Sequence, residues 1–345
     1  MLFLQVYSWF LQLKGCAMEN QAKNKNLIKA KVVKNDEFFT RLCDVEKEMV
    51  HYKEQFENKV IYCNCDNPYI SAFWEYFYNN FNVLKLKKLM ATYLVKEGNK
   101  AYVTEYSLVL GHDALVLSMI PLHENGDFRS EECQRLMDEA DIVVSNPPFS
   151  LFREYVATLM AHNKKFLVVG NKNAINYKDF FPLFMQNKVW FGYEKISSFN
   201  CPNGETQKFG NICWFTNLDT EQRNIWLNCE KHYVPEEYPK YCNFDAINVD
   251  RVTDIPADYD GIMGVPITFL DQYNPEQFEL VGLDLNSMSE QLGIREIGDE
   301  WLALYREQGG TGNYTACMHS LVCIHKGRAF APYRRILIRR KKEGE

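Results

Sequence analysis

The 345-residue sequence contains no run of about 20 apolar residues, the length needed to cross a bilayer. Its opening, MLFLQVYSWFLQL, is interrupted by Gln5, Ser8 and Gln12 and has no basic residue ahead of the apolar part, which excludes an ordinary secretory leader. Eleven cysteines are present, yet none stands in a C-x2-C or paired-His spacing, so a metal site is not expected. Cys63 and Cys65 lie two apart on an apolar run and share one face of a strand. Reduced, mostly buried thiols in a cytosolic protein fit this usage. Gly309-Gly310-Thr311-Gly312 lacks the Gly-Lys-Ser/Thr of a phosphate loop and reads as a flexible turn. His112, Asp113 and His123 come with no nucleophile elbow or metal spacing, and read as surface or loop residues. Positive charge is not in excess either. The 39 Lys and Arg against 45 Asp and Glu give a net charge of −6, which excludes a generic nucleic-acid coat protein.

What is present is a composition of 46% hydrophobic, 14% aromatic and 24% charged residues, that of a globular chain long enough for a large core. Residues 1–17 read as an extension ahead of an alternative start at Met18, or else as a small amphipathic docking segment. Val45–Phe56, Ile70–Phe81 and the stretch SLFREYVATLMAH (150–162) read as helices. The runs VIYCN (60–64), LKKLMATYL (86–94), KAYVTEYSL (100–108), DIVVS (141–145), FLVVG (166–170) and KVWFG (188–192) read as strands. Alternation of strand and helix predicts a doubly wound parallel α/β sheet, with its ligand crevice at the carboxyl ends of the strands. Beyond about residue 220 the texture changes: 228–260 are rich in Pro, Tyr and acidic residues, and RRILIRR (334–340) reads as a terminal strand with basic flanks.

Four residues carry the chemistry: Asn146, Pro147, Pro148 and Phe149. The first proline ends the DIVVS strand and keeps Asn146 extended, and two successive prolines stiffen the loop. The result is a rigid element offering an amide oxygen, a backbone carbonyl and an aromatic face. Two fixed acceptors of this kind can hold the two N–H groups of an exocyclic amine while the ring stacks on a flipped base. Methyl transfer to such an amine needs no metal and gains mainly from positioning. The plainer reading is a Pro-rich strand-ending turn with a buried Phe; the strand before it and the helix after it favour a site.

DIVVSNPPFS resembles the catalytic motif of amino-methyltransferases that use S-adenosylmethionine. Together with KNDEFFTRLCDVEKEM, VIYCNCDNP, GNICWFTNLD and GVPITFLDQYNPEQFELVG, it makes the chain similar, from about residue 34 to 340, to the EcoRI-type adenine-specific DNA methyltransferases. The resemblance implies a Rossmann-like methyltransferase sheet with a C-terminal target-recognition region. It implies that Phe39 and Thr40, in DEFFT, meet the methionine end of the cofactor. Asp66 then follows the first cofactor strand, in a loop without the usual F-x-G-x-G glycines. Asp127 would accept from the cofactor adenine amine, with Phe128 beside it. LKKLMATYL supplies no acidic residue for the ribose. The domains expected are a 1–34 extension, a catalytic domain at 35–220 and a DNA-binding region at 221–345.

The net charge hides an asymmetry. From Gln308 onward there are eight basic residues against two acidic, and none of the acidic ones precedes Lys342. A basic tail is commonly a solvated face; here Arg334, Arg335, Arg339 and Arg340 are expected on DNA phosphates. The function expected is N6 methylation of a flipped adenine in duplex DNA by a cytoplasmic enzyme with no metal and no membrane partner. A restriction endonuclease acting on the same site, without a stable complex, is its implied companion, and GAATTC is a candidate site. The alternatives are an RNA or protein-glutamine methyltransferase of the same fold, or a silent DNA-binding relative.

Overall fold

The computed structural model describes residues 39–95, 98–109, 114–201 and 205–342. The N-terminal extension, the first three residues of DEFFT and the pair His112-Asp113 lie outside the described residues. Chain order opens with helix α1 (Leu42–Met49), which continues into a 3₁₀ turn over Val50–Phe56. Strand β1 (Val60–Cys63) is buried at all four positions, as expected of a strand covered on both faces. Helix α2 (Ala72–Asn79) begins where the Ser71 hydroxyl accepts from the backbone N–H groups of Phe73 and Trp74. Strands β2 (Lys88–Ala91), β3 (Tyr102–Val109) and β4 (Ala114–Pro121) follow. Helix α3 (Glu131–Glu139) starts at a Ser130 cap, with two glutamates in its first turn that complement the helix dipole. Strand β5 (Ile142–Ser145), helix α4 (Phe152–Ala161) and strand β6 (Lys165–Asn171) complete the alternation.

These strands join β7 (Trp190–Asn200) and β8 (Thr206–Thr216) in an eight-stranded sheet ordered β4-β3-β2-β1-β5-β6-β8-β7. Its centre, β2-β1-β5-β6, is parallel. β3 and β4 are antiparallel on one flank, and β8 is antiparallel to β6 on the other. The sheet is therefore mixed, and parallel only in its middle. A parallel return needs a crossover of a dozen or more residues, usually a helix. The described part of the connection from β2 to β3 holds none, so β3 pairs as a neighbour running back. Asp141 fixes the start of β5 against β1: its carboxylate accepts from Val60 N at 2.8 Å, and its own N–H donates to Val60 O at 2.9 Å. Aromatics fill the core, with Phe56 on Phe77 edge-on at 5.1 Å and Phe73 on Trp214 at 5.8 Å. Each such side chain contributes roughly 2–3 kcal/mol through burial.

Helix α5 (Phe181–Met185) and the strands β9 (Ala246–Asn248), β10 (Ile262–Pro266) and β11 (Phe278–Leu283) belong to a second unit. So do helices α6 (Asn286–Ser289) and α7 (Asp299–Glu307), the hairpin β12 (Cys323–His325) and β13 (Arg328–Phe330), and β14 (Arg335–Arg340). The first unit holds the described residues up to Asn171 together with Glu194–Leu218; the second holds Lys172–Tyr193 and the chain from Asp219 on. One boundary thus falls beside residue 220, but 172–193 lies with the second unit, because buried Phe181 and Phe184 put α5 against β11. The second sheet runs β11-β14-β10-β9, so β14 is a central strand. Ile336, Leu337 and Ile338 are fully buried in it.

That position changes the reading of its arginines. Arg335 is buried, donates from Nε to Asn248 Oδ1 at 2.9 Å, and pairs through Nη2 with Asp250 at 3.1 Å. Arg340 donates to Pro256 O at 3.0 Å and lies over the Phe278 ring. Arg339 faces Glu279 at 3.6 Å, leaving Arg334 as the member of the four with neither an ion pair nor a hydrogen bond among the described residues. Arg335 is thus tied into the second sheet, and Arg340 has partners within the same unit. The loop 309–314 is also held, since Arg306 donates to Gly310 O at 2.7 Å and Gly312 O at 2.8 Å. Of the ten described cysteines four are buried and three exposed, fewer buried than the composition suggested, and all are free thiols. Among the described residues no helix is long and apolar enough to cross a membrane, and no His/Cys/Asp/Glu group could hold a metal. Arg335→Ala is expected to lower the unfolding free energy by about 1–3 kcal/mol in a urea titration; a variant as stable as the parent would return Arg335 to a surface role.

Candidate active site

Strands β1 and β5 are hydrogen-bonded neighbours, and at their carboxyl ends the chain leaves the sheet twice, as Asn64-Cys65-Asp66 and as Asn146-Pro147-Pro148. Around this break lies a cavity of about 560 Å³, within the range of small-molecule sites. Of the residues singled out from sequence, Phe39, Thr40, Asp66, Asp127, Phe128, Asn146 and Pro148 line it. Pro147 is buried and Phe149 is half-buried; neither is part of the wall. The Phe149 ring meets Phe199 edge-on at 6.1 Å, and Phe199 in turn meets Phe209 at 5.5 Å.

Each wall segment is fixed by its own local contacts. Phe39 forms a two-way backbone bridge with Asn200, 2.9 Å in each direction, which seats the Phe39-Thr40 step. Gly126 has a positive φ of 77°, and a Cβ there would sit 2.3 Å from Tyr93 O, so only glycine lets the 125–127 turn lie against the 93–95 segment. Asp127 follows at once. Arg129 donates to both of its oxygens, at 2.9 and 2.6 Å, and this pairing holds the Asp127 carboxyl below its usual range. Phe128 is buried against Tyr155, edge-on at 5.1 Å.

Asp66 sits at the centre of the arrangement. Its carboxylate accepts from Ser71 Oγ at 2.8 Å and Ser145 Oγ at 2.6 Å, and also from the backbone N–H of Asn146. Burial outweighs these bonds and pushes its pKa up to about 6. One carboxylate therefore ties together the loop after β1, the cap of α2 and the residue that ends β5. The residues missed from sequence are its partners, Ser71 and Ser145, together with Asn64 and Tyr155. Tyr155 donates to Asn64 Oδ1, and burial raises the tyrosine pKa well above its usual value. Asn64 Nδ2 and Thr40 Oγ1 are buried with no hydrogen-bond partner among the described residues. Both residues line the cavity. The Ser71 cap ahead of an apolar helix was the one available signal; the others become neighbours only through sheet pairing.

The linkage follows from the raised pKa. Between the unfolded value of about 4 and the folded value of about 6, the folded state binds more protons, so the Asp66 contribution to stability is present at low pH and lost as pH rises through 6. The stability of the parent relative to Asp66→Asn is expected to fall by on the order of 2 kcal/mol between pH 4 and pH 7 in urea titrations. A pH-independent difference would show that Asp66 is not a desolvated carboxylate.

Comparison with known proteins places these features in a lineage. Residues 26–341 match the family described as adenine-specific methyltransferase EcoRI. The chain is 44% identical to the type II methyltransferase M.EcoRI of Escherichia coli, across 79% of this chain and 94% of that one. It is 41% identical to the type II methyltransferase M.MgeORF184P of Mycoplasma genitalium and 40% identical to M.MpnI of Mycoplasma pneumoniae, each across 73% of this chain and 84% of the relative. No solved structure matches.

Proposed function

The chain belongs to the EcoRI family of adenine-specific methyltransferases, and from that premise we propose that it methylates N6 of an adenine flipped out of duplex DNA, with S-adenosylmethionine in the cavity beside Asn146. The observation that carries this reading is convergence: sequence segments around residues 39, 66, 127 and 146 line one cavity at the carboxyl ends of adjacent parallel strands. Restriction–modification context and a cytoplasmic setting belong to the same reading, as does an endonuclease that shares the target site.

The residues present fit the cofactor. Thr40 and Asn64 bring an unsatisfied hydroxyl and amide, and Phe39 and Phe128 bring aromatic surface. Thr40 and Phe39 would hold the methionine end, and Asp127 with Phe128 the adenine. When bound, the cofactor supplies an electrophilic methyl group. The protein contributes position. Asn146 Oδ1 and the Pro147 carbonyl accept from the two N–H groups of the target amine and aim its lone pair, while Phe149, backed by Phe199, stacks on the base. Asp66 holds the Asn146 backbone, and the prolines prevent the loop from relaxing. The amine proton leaves to solvent after transfer. Residues from about 221 on supply target recognition.

The test is transfer of labelled methyl to duplex DNA, with RNA and protein as parallel substrates and the modified base identified afterwards. Asn146→Ala is expected to cut kcat roughly 10²–10³-fold, the range seen when one positioned hydrogen-bonding group is removed, with cofactor affinity changed by no more than a few-fold. Label in RNA or protein instead of DNA, or full activity in Asn146→Ala, would overturn the reading. Thr40→Val is expected to weaken cofactor binding about 3–10-fold in a calorimetric titration, the worth of one neutral hydrogen bond.

A further inference from the structure

The basic C-terminal stretch was expected to touch DNA through four arginines, two of which the fold holds internally. Its other cations are arranged differently. β12 and β13 pair antiparallel, with His325 opposite Arg328, so only Lys326 and Gly327 make the turn. Both have positive φ, 49° and 75°, the backbone of a type I′ hairpin. Asn, Asp or Gly is the usual first residue there; lysine carries a Cβ that the left-handed region disfavours. A residue kept in such a place asks for a reason outside local geometry.

The hairpin is held rigidly. Gln308, just after α7, brackets its tip: Nε2 donates to Gly327 O at 2.7 Å, and Oε1 accepts from Ala329 N at 2.9 Å. Trp301 Nε1 donates to Cys323 O at 3.0 Å, and Ala329 packs into the buried cluster around Trp301. Against this fixed frame Lys326, Gly327 and Arg328 are exposed. Neither cation has an ion pair or a hydrogen bond among the described residues, unlike Lys85, Lys88, Lys172 and Lys231, each paired with a carboxylate. No acidic residue occurs anywhere from Gln308 to Lys342.

We propose that the β12–β13 hairpin tip is a contact element for the DNA backbone, with Lys326 and Arg328 each holding a phosphate. The inference rests on the reading of the chain as a DNA methyltransferase and names where that activity grips its substrate. A two-stranded ribbon is slim enough to lie along a groove of duplex DNA, and a pre-formed turn presents its charges without ordering a loop on binding.

Lys326→Asn is the informative variant, because asparagine suits the turn better than lysine while removing the charge. Binding of a fluorescent duplex is measured by anisotropy across a salt series for the parent, Lys326→Asn, Arg328→Gln and the double variant, with thermal unfolding alongside. The expected result is weaker binding in each single variant, to a similar degree on unrelated duplexes, with the slope of log K against log salt reduced by about 1 per cation and about 2 in the double variant. Lys326→Asn should unfold at or above the parent temperature. Parental affinity and slope in the variants, in a protein whose parent form binds and methylates duplex DNA, would overturn the hairpin assignment alone. Weakening confined to one duplex sequence would overturn phosphate contact in favour of base reading. A parent protein that neither binds nor methylates duplex DNA would overturn the functional reading itself, and the hairpin assignment with it.

Discussion

A buried carboxylate at the end of a parallel strand is the constraint around which the first unit is organised. Asp66 is almost fully removed from solvent, and an isolated charge there would be very costly. Its neighbours answer that cost from three directions: a helix cap, the last residue of β5 and the backbone of Asn146. Because the donors come from the cap of α2 and from the end of β5, satisfying one side chain also ties the loop after β1 to the start of the Asn-Pro-Pro turn. The cavity is the gap left once those bonds are made.

What could be read from the chain follows the range of the forces involved. The strand DIVVS and the turn after it were legible because β-branched residues and two prolines act on their own backbone. The Asp66 network was not, because Ser145 and Asp66 are far apart in sequence, as are Tyr155 and Asn64, and only pairing of β1 with β5 brings them together. Phe39, Thr40, Asp127 and Phe128 were reachable only through family resemblance. Nothing in DEFFT or GDFRSEE taken alone distinguishes a cavity wall from an exposed turn. Pairing direction at the sheet flanks was also hidden, since it depends on what the connection can span rather than on strand composition.

The arginines of β14 show the same limit in electrostatic form. RILIRR looks like an apolar strand between basic ends, and in a peripheral position those ends would be solvated. Placed in the centre of a four-stranded sheet, the first arginine falls among Asn248, Asp250 and Tyr241 and becomes part of the core. Charge counts along a sequence locate basic segments. Which of their members reach solvent is decided by sheet order.

The division of the chain has a consequence for how the protein comes into being. The polypeptide passes between the two units after Asn171, after Tyr193 and after Leu218. As the ribosome releases the chain from its N-terminus, β1 to β6 emerge first, yet the partner that covers the β6 edge, β8, appears only after the 172–193 segment has been made. That segment must then wait for β11, some 90 residues later, before Phe181 and Phe184 find the strand they pack against. The first unit has all its segments once Leu218 is made, whereas the second waits for β11, so a gene cut at residue 220 would separate α5 from its packing partner rather than yield two self-sufficient halves.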